Sequence, residues 1–242
     1  MSELELKIYP DPKSLFRAAA EAVTQVLQAG LREHPKLTFV LAGGTTPRGV
    51  YELLGTSCAF QNWSAVEFFW GDERCVPPDN EASNFRMARE SLLSRLSLPD
   101  RNIHRIPAEL ENSEDAARLY EEEILKSFAA PGLPSFDLVL LGMGDDGHTA
   151  SLFPGTRWDE SRLVIANHSP HPPFRRISMT PRLLNAARRV IFLAAGQAKA
   201  HALKRVLEDP ACDYPARRIK PAEGALTWMV DSAAASLLRQ EP

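Results

Sequence analysis

Four stretches of this 242-residue chain are almost continuously apolar: KLTFVLA at 36–42, AVEFFW at 65–70, FDLVLL at 136–141 and RVIFLAA at 189–195. Side chains alternate between faces along a strand, so such runs fit only strands covered on both sides. Sheets of that kind are mostly parallel, and parallel neighbours are joined through crossover helices. The chain supplies those helices. Pro12 opens one in which Leu15, Phe16, Ala19, Val23, Val26, Leu27 and Leu31 recur at helical spacing through His34. Thr46 to Leu54, Asn84 to Leu93, Ser113 to Phe128 and Gly196 to Leu207 read as four more. Leu4, Leu6 and Ile8 alternate as a first strand, and Ile103 and Ile106 mark a short one. Residues 162–166 and 176–179 are further strand candidates, and Leu226 to Val230 precedes a final helix over Asp231 to Leu238. The expected fold class is therefore α/β: a mostly parallel, doubly wound sheet with helices on both faces and right-handed crossovers. The loops at 167–175 and 210–223 are too short for linkers, so residues 1–242 are expected to form a single domain.

Bulk properties exclude several classes of function. The formal net charge is −3, with 28 basic against 31 acidic residues, so the chain lacks the basic surface of a general nucleic-acid or anionic-membrane binder. An anionic ligand has to be caught by a local cluster of cations and amides. Cys58, Cys75 and Cys212 are odd in number and far apart, with no CxxC, which fits a reducing cytoplasm rather than a disulfide or zinc framework. The start MSELELKIYPDP has neither a basic n-region nor an apolar h-region, so no signal peptide is read. No 18-residue apolar run exists to span a membrane.

The chemistry concentrates behind the apolar runs. After FDLVLL comes a glycine-punctuated turn, GMGDDGH, that delivers Asp145, Asp146 and His148 to a strand's carboxyl end, where open α/β sheets bind ligands. His148 can accept a proton near neutral pH, and Asp146 can fix its tautomer. The same stretch matches GxGxxG through Gly142, Gly144 and Gly147, but a dinucleotide site is rejected. Two aspartates stand where a pyrophosphate needs amides, no long helix precedes Phe153-Pro154-Gly155, and Asn167-His168 occupies the place of a ribose-binding acid. The segment Ala42-Gly43-Gly44-Thr45-Thr46-Pro47 is a better anion seat. Gly43 and Gly44 let amides turn inward, Thr46 caps the next helix, Pro47 takes its first position, and the hydroxyls of Thr45 and Thr46 add donors. It lacks a P-loop lysine, which argues against a nucleoside triphosphate. Gly71-Asp72-Glu73-Arg74 follows AVEFFW and offers a base and a phosphate clamp. Arg176 and Lys199 lie near other strand ends, and Lys199 in a first helical turn conflicts with the dipole unless an anion binds there. His168 and His171 lie in a proline-rich loop that does not present them as a metal pair, so no metal or other cofactor is expected.

The motifs LAGGTTPRGVYELL, FFWGDERCVPPDNEASNFRMARESLL, FDLVLLGMGDDGHTASLFPG and RRISMTPRLLNAARRVIFLAAGQAKA, in this order from about Leu41 to Leu207, resemble the 6-phosphogluconolactonase family. The resemblance implies the three-layer fold of the sugar-phosphate isomerase/deaminase group. It also implies a cytoplasmic hydrolase of the pentose phosphate pathway, acting on the phosphorylated sugar lactone 6-phospho-D-glucono-1,5-lactone. Position by position it suggests His148 as general base on water, Asp146 as its orienter and Asp72 as an assisting or pocket-shaping carboxylate. Gly43, Gly44, Thr45, Thr46, Arg74, Arg176 and Lys199 would hold phosphate and sugar. Nucleic acid and membrane are not expected partners, and a homodimer is left open. Glucosamine-6-phosphate deaminase shares the fold, but its corresponding loop, like DGHIAFNEP, carries a Glu where this chain has Phe153. A sugar-phosphate sensor would need no DGH and usually follows a helix-turn-helix module, which is not seen before Leu37.

Overall fold

The computed structural model describes residues 4–56, 59–128 and 132–239, so Cys58 lies outside the described residues. The elements in chain order are β1 (Leu4–Tyr9), α1 (Pro12–Glu33), β2 (Leu37–Leu41), α2 (Thr45–Leu54), β3 (Val66–Trp70), β4 (Asp72–Arg74), α3 (Asn84–Ser91) and β5 (Ile103–His104). They continue with α4 (Ser113–Phe128), β6 (Leu138–Gly142), β7 (Val164–His168), β8 (Arg175–Met179), α5 (Pro181–Leu184), β9 (Arg189–Ala194), α6 (Ala200–Glu208) and β10 (Ala225–Asp231). Among the described residues, no helix is long and apolar enough to cross a membrane.

Seven strands form one sheet in the order β1-β10-β9-β6-β2-β3-β5, and every neighbouring pair is parallel. The four apolar runs supply its centre. Leu138, Val139, Leu140 and Leu141 are all buried, as are Val190 to Ala194, so both faces of the sheet are covered. Long α1 covers part of one face. Asp11 accepts the Ser14 amide, Pro12 takes the first helical position, and Leu15, Ala19, Val23 and Leu27 point into the core.

Strand order determines where a crevice opens. β2 and β6 are neighbours, yet the chain leaves β2 toward β3 on one side and leaves β6 toward β9 on the other. The loops beyond their carboxyl ends therefore diverge, which is the switch point at which such sheets bind ligands.

Strand–helix alternation does not run from end to end. The candidates at 162–166 and 176–179 do form strands, β7 and β8, but they join β4 in a separate antiparallel sheet of order β4-β8-β7. An isolated strand pattern carries no information about which sheet it joins, and charged Asp72–Arg74 is too short to announce itself as a partner. Gly71 connects the two sheets: its N–H donates to Leu41 O and its C=O accepts from Met179 N.

Three local expectations are corrected. Residues 232–238 form turns rather than a helix: the Asp231 carboxylate takes the N–H groups of Ala234 and Gly196, but the backbone bonds that follow, Ser236 N to Ala233 O and Leu238 N to Ala235 O, each span only three residues. Gly196 leads into a 3-10 turn over Gln197–Lys199, so α6 begins only at Ala200 and Lys199 precedes its first turn. The cap of α2 is Gly44 at φ +101°, without a side-chain bond, so Thr46 lies inside the helix and Pro47 is its third residue.

Two buried tyrosines finish the strand ends that face the crevice. Tyr51 Oη accepts from Ala42 N at 2.8 Å and donates to Ala42 O at 3.0 Å. Tyr120 Oη does the same for Trp70, at 2.8 and 3.0 Å. Each hydroxyl satisfies a donor and an acceptor that the ladder has released. Tyr51→Phe or Tyr120→Phe is expected to destabilise the protein by about 1–3 kcal/mol through these orphaned groups. Urea unfolding of the two variants checks it, and midpoints equal to the parent's would refute the account.

Candidate active site

The turn after β6 is closed on itself. Gly144 N donates to His148 O at 2.8 Å, Gly147 N to Gly144 O at 3.2 Å, and Thr149 Oγ1 to Gly142 O at 2.8 Å. No helix follows in residues 143–163, consistent with rejecting a dinucleotide fingerprint. Glycine is required twice. A Cβ on Gly144 would lie 2.1 Å from His148 Nδ1 and 2.4 Å from Asp146 Oδ1. Gly147 has φ +82° and lies against the Tyr214 ring, which a Cβ would meet at 2.1 Å.

Within this turn, His148 Nδ1 is 2.6 Å from Asp146 Oδ1, which also accepts the His148 N–H at 3.0 Å. Burial alone pushes the Asp146 carboxyl up, but the bonds from the His148 ring and backbone outweigh it and hold the group below the usual carboxylate range. An ionised carboxylate only accepts, so Nδ1 carries the proton and the neutral imidazole keeps its acceptor lone pair on Nε2. The Phe153 ring lies 4.9 Å from the imidazole and forms an apolar wall beside it.

Asp72 is buried and held from two sides. Ser151 Oγ donates to Oδ2 at 2.6 Å, and Asn84 Nδ2 reaches Oδ1 at 3.2 Å and the Asp72 carbonyl at 3.0 Å. Asn84 packs so closely on Gly43 that a Cβ there would be 2.0 Å from its Oδ1. The next residue, Glu73, points away into the amino terminus of α3. It accepts from Arg74 N, Asn84 N, Phe85 N and Ser83 Oγ at 2.7, 2.7, 2.8 and 3.0 Å, while burial pushes its carboxyl up. These four bonds fix the segment that presents Asn84.

Eight of the expected residues line one cleft at the β2/β6 switch point: Gly43, Gly44, Thr45, Thr46, Asp72, Arg74, His148 and Lys199. Asp146 is behind His148 and does not line the cleft. Arg176 does not line it either, which departs from its expected place at the rim. It lies on β8 directly opposite Arg74 of β4 and is buried. Burial, and next the Arg74 charge, hold its guanidinium below the ordinary arginine value. Nε of Arg74 and Nε of Arg176 have no hydrogen-bond partner among the described residues. Two guanidinium groups facing each other with spare donors favour an anion nearby.

At the other wall, α2 starts at Thr45, and Arg48 N bonds back to Gly44 O. The N–H groups ahead of Arg48 have no intrahelical acceptor, so those of Thr45 and Thr46 are available. Together with the dipole and Lys199 they make a cationic pocket end. Among the described residues no three His, Cys, Asp or Glu side chains cluster as metal ligands.

Asn84 and Ser151 were not singled out from the sequence, and Glu73 only as part of Gly71-Asp72-Glu73-Arg74, without its role at the start of α3. Ser83-Asn84 ahead of a helical run is a readable cap signal, and it places Asn84 at a helix start. Its approach to Gly43 comes only from the tertiary fold.

The family model described as glucosamine-6-phosphate isomerases/6-phosphogluconolactonase matches residues 10–228. The chain belongs to this family. A Synechocystis sp. 6-phosphogluconolactonase is 40% identical over 233 residues, covering 93% of this chain and 94% of that one. Its Nostoc sp. counterpart is 38% identical over 240 residues, covering 96% and 98%. The solved Trypanosoma cruzi 6-phosphogluconolactonase superposes with a TM-score of 0.88 at 30% identity, covering 98% of this chain and 97% of that one.

Gly144→Ala is expected to separate His148 from Asp146 while the sheet persists. The measurement is the strongly deshielded Nδ1 proton in the NMR spectrum, which should vanish at unchanged far-ultraviolet dichroism. Its survival would show that the turn relaxes around a methyl group.

Proposed function

We propose that this chain hydrolyses 6-phospho-D-glucono-1,5-lactone to 6-phospho-D-gluconate, the second step of the oxidative pentose phosphate pathway. The observation that carries the reading is the shared cleft: an imidazole backed by a carboxylate faces the same space as an amide-and-lysine anion seat. The reading takes residues 1–242 as one functional unit and places the enzyme in the cytoplasm.

The phosphate binds at the start of α2, with Lys199 and Arg74, and anchors the substrate far from the reacting bond. Arg176 backs Arg74 and adds positive potential from behind. That remote binding energy positions C1 of the lactone against His148. Nε2 of His148 takes a proton from water as the oxygen attacks C1. Asp146 stabilises the imidazolium that forms. The tetrahedral intermediate then collapses with cleavage of the bond from C1 to the ring oxygen, which leaves with the proton returned by the imidazolium. The product acid ionises and releases one proton to solvent. Asp72, held by Ser151 and Asn84, forms the wall that orients the sugar hydroxyls.

The magnitudes suffice. A positioned general base supplies about 10²–10⁴-fold, or roughly 3–5.5 kcal/mol of barrier. Donors aimed at the developing oxyanion add about 2.7–4 kcal/mol. A δ-lactone is an activated ester, so the barrier left to lower is modest. Deamination of glucosamine 6-phosphate needs a carboxylate paired with the histidine during ring opening. Phe153 occupies that place here and touches the imidazole.

His148→Ala is expected to lower kcat by about 10²-fold or more with the fold intact. The assay generates the lactone in situ and follows acid release above the spontaneous rate, with ammonia release from glucosamine 6-phosphate as control. Near-parental turnover would remove His148 from the mechanism. Lys199→Ala is expected to raise KM about tenfold to a hundredfold with a smaller change in kcat, since it loses a charge-assisted phosphate contact. An unchanged KM would refute the proposed phosphate end.

A further inference from the structure

We propose that β1 is a homodimerisation edge, pairing antiparallel with β1 of a second copy so that the two seven-stranded sheets become continuous. The strand LELKIY is exposed along nearly its whole length. Leu4, Leu6 and Ile8 are 49%, 37% and 52% exposed, a row of large apolar side chains on one face. This row continues the face of the neighbouring strand, since its partners across the β1–β10 ladder are buried Leu226, Trp228 and Val230. The opposite end of the sheet offers nothing comparable, because β5 has only two residues.

The backbone is poised for pairing. Tyr9 O accepts from Ser232 N, so Tyr9 directs its polar groups toward the β10 side. Alternation along a parallel ladder gives Glu5 and Lys7 the same direction and turns the N–H and C=O of Leu4, Leu6 and Ile8 outward. Free ladder edges of this length pair with another strand unless charge or shape prevents it.

Charge selects the partner and the register. With Leu6 opposite Leu6 of the second copy, Leu4 faces Ile8 and the three outward-facing residues of each strand meet their counterparts as hydrogen-bonded pairs. All six apolar side chains then share one face. On the other face Glu5 meets Lys7 of the other copy, twice, at the closely spaced positions. Sliding by one pair in either direction places Glu5 against Glu5 or Lys7 against Lys7. Within one copy Lys7 Nζ is already 3.0 Å from Glu5 Oε1, with both side chains about half exposed, and Glu5 Oε2 accepts from Thr227 Oγ1 at 3.3 Å. An edge that is self-complementary about a two-fold axis specifies a second copy of the same chain.

Sedimentation velocity on the full chain, from low to several hundred micromolar, tests the proposal. The expected result is a concentration-dependent shift from 26.8 kDa toward twice that mass. Glu5→Lys and Lys7→Glu are each expected to weaken association about tenfold or more, because each makes both cross-strand pairs repulsive. The double variant restores opposite charges and should recover parental association. Circular dichroism verifies that all three variants fold, and amide exchange should slow at Leu4, Leu6 and Ile8 as the dimer forms. A chain that stays monomeric throughout overturns the proposal. So does a dimer indifferent to the single swaps, or one that the double variant fails to restore.

Discussion

β2 and β6 lie side by side, point the same way, and send the chain onward in opposite directions. No connection bridges the gap above them, and a parallel sheet has no hairpin to close it. The site is built from what each strand releases at that gap: two glycines and a helix start from β2, a closed turn carrying an imidazole from β6. The neighbouring strands contribute the rest, Asp72 and Arg74 beyond β3 and Lys199 beyond β9. The backbone ends of β2 and β3 are tied to Tyr51 and Tyr120, so their loops start from stiff positions, while the turn after β6 closes on itself and holds His148 against Asp146.

Much of this was legible because apolar runs report burial directly. FDLVLL and RVIFLAA can be satisfied only between two helical layers, and glycine turns after such runs mark strand ends. Ser113 to Phe128 shows its helical period along its whole length, and its bounds hold. The convergence of Gly43, Thr46, Asp72, His148 and Lys199 follows from the strand ends sharing a rim. Where local pattern is silent, the expectation failed. Asp72–Arg74 pairs with β8 because of a tertiary neighbour, so the antiparallel second sheet was invisible. Asp231 reads as the start of a helix, and its carboxylate does take Ala234 N as a cap would, yet the bonds beyond it close only single turns.

Arg176 shows why side-chain position is harder to read than strand position. Its place on β8 follows from the sequence, but only the strand's registry against Asp72–Arg74 sets it opposite Arg74 and outside the cleft lining. Burying a guanidinium opposite a second one is unfavourable in isolation, and only a neighbouring negative charge makes such a pair sensible. Glu73 is the complementary case. A carboxylate buried beneath a functional motif looks catalytic by composition, while its four donors tie it to the start of α3. Its influence reaches the cleft through Asn84, which it places between Gly43 and Asp72.

Gly71 belongs to both sheets through one N–H and one C=O. The cleft has one wall on each sheet: His148 and the start of α2 rise from the large one, Asp72 and Arg74 from the small one. Gly71 is not the sole joint: Ser151, in the turn after β6, donates to Asp72 through its hydroxyl and to Ser178 through its amide, and Glu121 of α4 accepts from Leu163 N and Val164 N, so the smaller sheet is braced from three sides. The gap between the proton acceptor and the carboxylate wall is thereby set like the opening of a wrench whose screw has been tightened, with Ser151 holding the Asp72 side in place.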